Sequence, residues 1–143
     1  MFYFIVSKIF PKRCREIPAM DGGILLQQVR VTKNSYLHHF VKPEPVDMFH
    51  KHRWKKMRSF VLTGRYVEER LSPEGDVSEV KHKFGQTFTM DKSTIHRVSY
   101  WSPRCWTWFF FGESDGDWGY YDRQMNYTPW DEYIPQDMRV EHV

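Results

Sequence analysis

Apolar and polar residues alternate in short runs along this chain, and turn-forming residues break the runs at close intervals. A period of two places successive side chains on opposite faces of a strand. On this pattern residues 2–10 form a first strand, and residues 11–23 are a loop punctuated by Pro11, Pro18 and the Gly22, Gly23 pair. Residues 24–32 are a second strand, with Ile24, Leu26, Gln28 and Arg30 on one face. Residues 36–41 are a third, whose adjacent His38 and His39 point to opposite faces. Pro43 and Pro45 break the chain, and His50 to His52 open the next strand. Further strands follow at 57–62, 65–71, 77–84, 86–90, 94–101, 105–111 and 118–121. The pair 94–101 and 105–111 reads as a hairpin closed by Ser102-Pro103-Arg104, with Trp106, Trp108 and Phe110 on one face of its return strand.

No segment sustains the helical apolar period of about 3.6 residues. Closely spaced strands with turn signals between them imply an all-β fold, a sandwich or barrel. Neither an internal repeat nor a composition break divides the chain, so residues 1–143 are expected to be one domain. The tail, 125–143, carries Pro129 and Pro135 and is expected to wrap the barrel or hold a short helical turn.

Composition supports this picture. Of 143 residues, 17% are aromatic, and aromatic side chains favour strands. The formal charge of +3 is too mild to suggest nucleic-acid binding. Lys51, Arg53, Lys55, Lys56 and Arg58 crowd one segment, either as a solvated face or as a field that steers an anionic small molecule. Cys14 and Cys105 form no CxxC motif and are expected as reduced thiols in a cytoplasmic protein. The apolar start lacks the pattern of a secretory leader, and no run is long enough for a membrane span. Tyr127, Trp130 and Tyr133 are aromatic residues of the tail that would suit a homodimer contact.

Candidate chemistry centres on histidine. His50 and His52 lie two residues apart, so on a strand they share a face and converge. His96 stands in a second strand-like run, and three converging imidazoles can hold a divalent metal. His38 or His39 is a candidate fourth ligand. His82 reads better as a hydrogen-bonded or exposed histidine. A P-loop, a G-x-G-x-x-G and a recognisable Ser-His-Asp arrangement are absent as local motifs.

The spacing resembles the two motifs of the cupin superfamily. His50-x-His52 and Gly64 match the first motif, and Gly85 and His96 match the second, position for position. Five places depart: Met57 stands for the glutamate ligand, Glu44 for the leading glycine, Asp91 and Ser93 for the Pro and Gly of the turn, and Tyr100 for the final Asn. More loosely, His50-x-His52-x-Trp54, Gly64-x-Tyr66, His96-Arg97-Val98 and Trp118-Gly119 are similar to small cupin-like proteins of phage and bacterial genomes.

The resemblance implies a double-stranded β-helix with a central pocket and a metal held by His50, His52 and His96. Iron is the expected ion, as in the three-His thiol dioxygenases, with Zn, Mn or Ni as alternatives. An oxygenase or isomerase acting on a small organic molecule follows. The alternatives are a non-catalytic cupin that binds a metabolite or nucleotide, and a structural barrel. Met57, Tyr66, Val98, Tyr100, Trp106 and Trp108 are the expected pocket residues, Met57 as a space-filler. Arg97 and Arg104 are candidate anion clamps, with surface exposure the simpler expectation for each.

Overall fold

The computed structural model describes residues 1–19 and 23–133. Two six-stranded sheets, antiparallel in every described pairing, face one another. The strands in chain order are β1 (Cys14–Pro18), β2 (Ile24–Thr32), β3 (Ser35–Phe40), β4 (Phe49–Lys51), β5 (Lys56–Thr63) and β6 (Arg65–Leu71). They continue with β7 (Val77–Lys83), β8 (Thr87–Asp91), β9 (His96–Trp101), β10 (Trp106–Phe111), β11 (Gly119–Tyr121) and β12 (Tyr127–Pro129). One sheet has the order β1-β2-β3-β10-β5-β8 and the other β12-β11-β4-β9-β6-β7. The all-β expectation therefore holds.

Three expectations are corrected. Residues 2–10 are not a strand: Phe2–Ile9 is a helix, α1. Its half-buried residues, Tyr3, Val6 and Ser7, follow helical spacing. The outward positions Phe2, Phe4, Ile5 and Ile9 are apolar too, which hid that period in the sequence. Within the expected 11–23 loop, Cys14–Pro18 forms an edge strand on β2. Pro18 is its last residue, a place where a missing N–H costs no ladder bond.

The third correction concerns 94–111, which is not a hairpin. β9 belongs to one sheet, paired with β4 and β6, while β10 pairs with β3 and β5 in the other. Ser102 to Arg104 is a corner between the sheets, with Arg104 at φ 60°. It is braced by the equivalent corner at Gly64. Ser102 N–H donates to the Arg65 carbonyl (2.9 Å), and Arg65 N–H donates to Ser102 Oγ (3.0 Å). A corner and a hairpin share the same local turn chemistry, so only the register of the whole sandwich separates them.

The core lies between the sheets in two patches. Val61, Tyr66, Val98 and Cys105 form one, and Met57, Met90 and Phe109 the other, with Phe88 packed against both. On β10 the inward residues are Thr107 and Phe109, while Trp106 and Trp108 alternate to the opposite face. Of the tail, β12 pairs with β11 and residues Trp130–Tyr133 make one helical turn, α2. Residues 134–143, and the expectation that they wrap the barrel, lie outside the described residues, as does the side chain of Tyr133.

Candidate metal centre

β4 and β9 are antiparallel neighbours with His50 directly opposite His96. Opposed residues share a face, and so do residues two apart on an extended chain. His52 thus joins the same cluster, and one ring nitrogen from each of His50, His52 and His96 lies within 4.8 Å of the others. Their ring centroids are 4.6–5.2 Å apart. Nε2 of His52 and Nε2 of His96 face each other at 3.1 Å.

Two carboxylates hold the rings from behind. Glu44 Oε1 is 2.8 Å from Nδ1 of His50, and Glu68 Oε2 is 2.8 Å from Nδ1 of His96. A carboxylate accepts only, so each Nδ1 carries a proton, and in the neutral ring the lone pair is on Nε2. A carboxylate bonded to the outward ring nitrogen fixes tautomer and orientation in metal-bound histidines. Glu44 is itself fixed by β9: Val98 N–H donates to its Oε2 at 2.5 Å, and Arg97 Nη1 donates to its carbonyl at 3.0 Å. Arg97 is buried and paired with Glu69, which corrects its expected surface position. Glu68 Oε1 also accepts from Arg70 Nε at 2.6 Å.

Charge follows this arrangement. Burial works against charging His50, but the charge and hydrogen bond of Glu44 outweigh it and raise its pKa. Among the described residues no carboxylate bonds His52 from behind. Burial, then the charges of His50 and His96, hold its pKa well below the ordinary value. Burial also lowers His96, with His50 adding to the effect and Glu68 opposing it. For Glu68 itself, burial would raise the pKa. Its contacts with His82 and His96 and the nearby His96 and Arg70 charges prevail, keeping it far below the usual carboxylate range. His52 and His96 are therefore held neutral, the form that binds a metal.

The three imidazoles are a possible site for a divalent ion. Ligand nitrogens about 2.1 Å from one ion lie roughly 3.0–3.4 Å apart in octahedral or tetrahedral geometry, and the His52–His96 separation of 3.1 Å falls in that range. Imidazole donors suit Fe, Zn, Mn and Ni alike. Met57, which stands where a carboxylate ligand would be, is packed on Met90 and Phe109 in the core.

The histidines sit on the wall of a cavity of about 350 Å³. Tyr66 and Val98 line it, as expected from the sequence. Tyr100, Trp106 and Trp108 do not. Tyr100 is half exposed, and the two tryptophans lie on the outer face of β10, where Trp106 stacks on His39. Phe109 and Phe111 take their place in the lining.

His38 also lines the cavity but is not a member of the three-ring cluster. Gln28 Oε1 accepts from Arg15 Nε, so Gln28 Nε2 donates to His38 Nε2 at 2.9 Å and occupies its lone pair. Burial, helped by the Arg15 charge, lowers the His38 pKa to about 3. His39 points the other way, onto Gln27 Oε1. His82 is buried beside Glu68 and stacked on Phe88 at 3.8 Å. Arg104 is exposed at its corner.

No sequence-family profile matches the chain, and no curated protein sequence does. Similarity is found among solved structures. The crystal structure of Fe(II)-HppE with the alternative substrate (S)-1-HPP superposes with a TM-score of 0.56 at 11% identity, covering 72% of this chain and 58% of that one. The chain thus spans little more than half the length of HppE. Bacillus subtilis oxalate decarboxylase matches at 0.49 and 11% identity, covering 88% of this chain and 33% of that one. KdgF from Halomonas sp. matches at 0.44 and 17%, covering 64% of this chain and 82% of that one. With its two facing antiparallel sheets and its likeness to HppE, the chain has the cupin fold.

Proposed function

We propose that this protein is a metal-dependent cupin enzyme, of oxygenase or isomerase type, acting on a small organic molecule. The observation that carries the reading is the convergence of three imidazoles on a cavity wall, one oriented by the fully buried Glu68 and one by the partly buried Glu44. His50, His52 and His96 would hold the ion, with iron the expected metal because HppE carries Fe(II) on this fold and Zn, Mn or Ni compatible with the same donors. A bound divalent ion supplies Lewis acidity towards a substrate oxygen and, if redox-active, access to dioxygen chemistry.

The chain's own residues set the conditions for that chemistry. Glu44 and Glu68 keep the protons on Nδ1 and so keep the inward nitrogens free to coordinate. Among the described residues no carboxylate joins the three-ring cluster, so the site would keep the ion's full positive charge and favour an anionic or oxygen-rich partner. Tyr66, Val98 and Phe109 present an apolar wall that limits water around the reacting group. Among the described residues no helix is long and apolar enough to cross a membrane.

The test is metal analysis of protein purified without chelators, followed by reconstitution with Fe(II), Mn(II) or Zn(II). About one ion per chain is expected, falling to background in His50→Ala and His96→Ala. Less than about 0.1 ion per chain, unchanged by added metal, would overturn the reading.

A further inference from the structure

The cavity that holds the histidines has a second region that the metal reading leaves unexplained. β3 and β10 place Tyr36 and Phe111 face to face, with ring centroids 5.3 Å apart. Phe111 stacks in turn on Trp54 at 4.5 Å, and Trp54 lies 5.7 Å from the His52 ring. These three rings make a continuous apolar shelf leading from the metal centre along the cavity.

Cations surround this shelf. Arg30 is directly opposite Tyr36 in the β2–β3 register, and Arg53 precedes Trp54 in the chain. Both line the cavity. The Arg30 guanidinium donates to the backbone carbonyls of Thr32 and Lys33, and Arg53 Nε donates to Ser114 Oγ. Neither is in an ion pair among the described residues. Arg15 lies over the Tyr36 ring, 5.2 Å from its centroid, with its Nε fixed by Gln28. Burial lowers the Arg15 pKa, and the neighbouring Arg30 charge adds to the effect, so Arg15 and Arg30 are crowded at some cost. The only described carboxylate in the lining is Glu44, which is committed to His50 and Val98.

Crowded guanidiniums beside an aromatic shelf are suited to a planar oxyanion, which each fork can bind through two hydrogen bonds. We infer that the substrate of this site is a small organic anion. Its carboxylate or phosphate is held by Arg30 and Arg53, and its flat or apolar body lies on Tyr36, Phe111 and Trp54. The inference rests on the three-His reading for the reacting end and on separate residues for the binding end.

Calorimetric titrations with benzoate, phenyl phosphate and the neutral isostere benzamide test it, on chelator-treated and on Zn(II)-loaded protein. In both preparations at least one of the two anions is expected to bind about tenfold or more tightly than benzamide, the size expected of a hydrogen bond to a charged group. The preference between benzoate and phenyl phosphate tells carboxylate from phosphate. Arg30→Gln with Arg53→Gln is expected to abolish the preference while leaving metal stoichiometry unchanged, and Arg30→Lys with Arg53→Lys to restore part of it. Equal affinity for all three probes, binding of none at millimolar concentration, or an anion preference that survives the double glutamine variant would overturn the inference. If the anion preference is found but no metal is taken up, the metal reading fails and this one stands.

Discussion

Glu68 Oε2 lies 2.8 Å from Nδ1 of His96, and the carboxylate is fully buried. The bond fixes the His96 ring with its Nε2 turned to Nε2 of His52. Glu68→Gln keeps an acceptor of the same shape but removes the charge that strengthens the ligand. The expected result is a 10–100-fold loss in metal affinity, the usual scale for such outer partners. Competition with a chromophoric chelator measures it. An unchanged affinity would show that His96 needs no support from behind.

The His50 and His52 pair was legible in the sequence because residues two apart on a strand share a face, and His96 was added by its strand-like run and the cupin-like motif spacing. Glu44 was named only as a departure from the leading glycine of the first motif, and Glu68 was not singled out. Glu68 left only a weak signal, since it shares parity with the buried Tyr66 on β6 but also with the charged Arg70. Glu44 left none, because its side chain returns from a loop to Val98, a contact made only in the folded sandwich. On β10 both faces are aromatic, so alternation could not tell which tryptophans or phenylalanines point inward. The corner at Ser102 was indistinguishable from a hairpin until its strands had partners in opposite sheets.

Metal should stabilise the fold, since the donors converge only in the native state. At a free ion concentration 100 times the dissociation constant, the gain is about 2.7 kcal/mol. For a chain of 143 residues that corresponds to a rise in Tm of roughly 5–10 °C. Scanning fluorimetry with added Zn(II), reversed by chelator, should show the shift in the wild type and lose it in His52→Ala. A shift of equal size in that variant would place the ion elsewhere.

Burial of neutral His38 makes stability depend on pH. Its folded pKa, about 3, lies below the ordinary histidine value of 6.5. The unfolded chain therefore takes up a proton that the folded chain resists. The His38 contribution is complete above pH about 6.5 and is lost as pH falls towards 3, to a limit on the order of 5 kcal/mol. His38→Gln keeps an acceptor for Gln28 and has no ring to titrate. Urea denaturation between pH 7 and pH 4 should give a shallower loss of stability in the variant. Parallel profiles would mean that His38 does not account for the dependence.

Two glycines of the cupin-like motifs carry positive φ, Gly64 at +72° and Gly85 at +83°, but their surroundings differ. A Cβ on Gly64 would sit 2.6 Å from Ser102 Oγ and 3.2 Å from the Cα of buried Cys105. Ser102 Oγ already accepts the Arg65 N–H, so it cannot turn away without leaving that donor unpaired. A Cβ on Gly85 would meet nothing within 4 Å. Gly85→Ala should therefore cost only the left-handed backbone term, about 1–2 kcal/mol. Gly64→Ala should cost that and a further 1–3 kcal/mol or so from overpacking at the corner. Chemical denaturation of the two variants side by side measures the difference. Equal losses would mean that the brace between the two inter-sheet corners yields to a methyl group, and that Gly64 is needed for its backbone conformation alone.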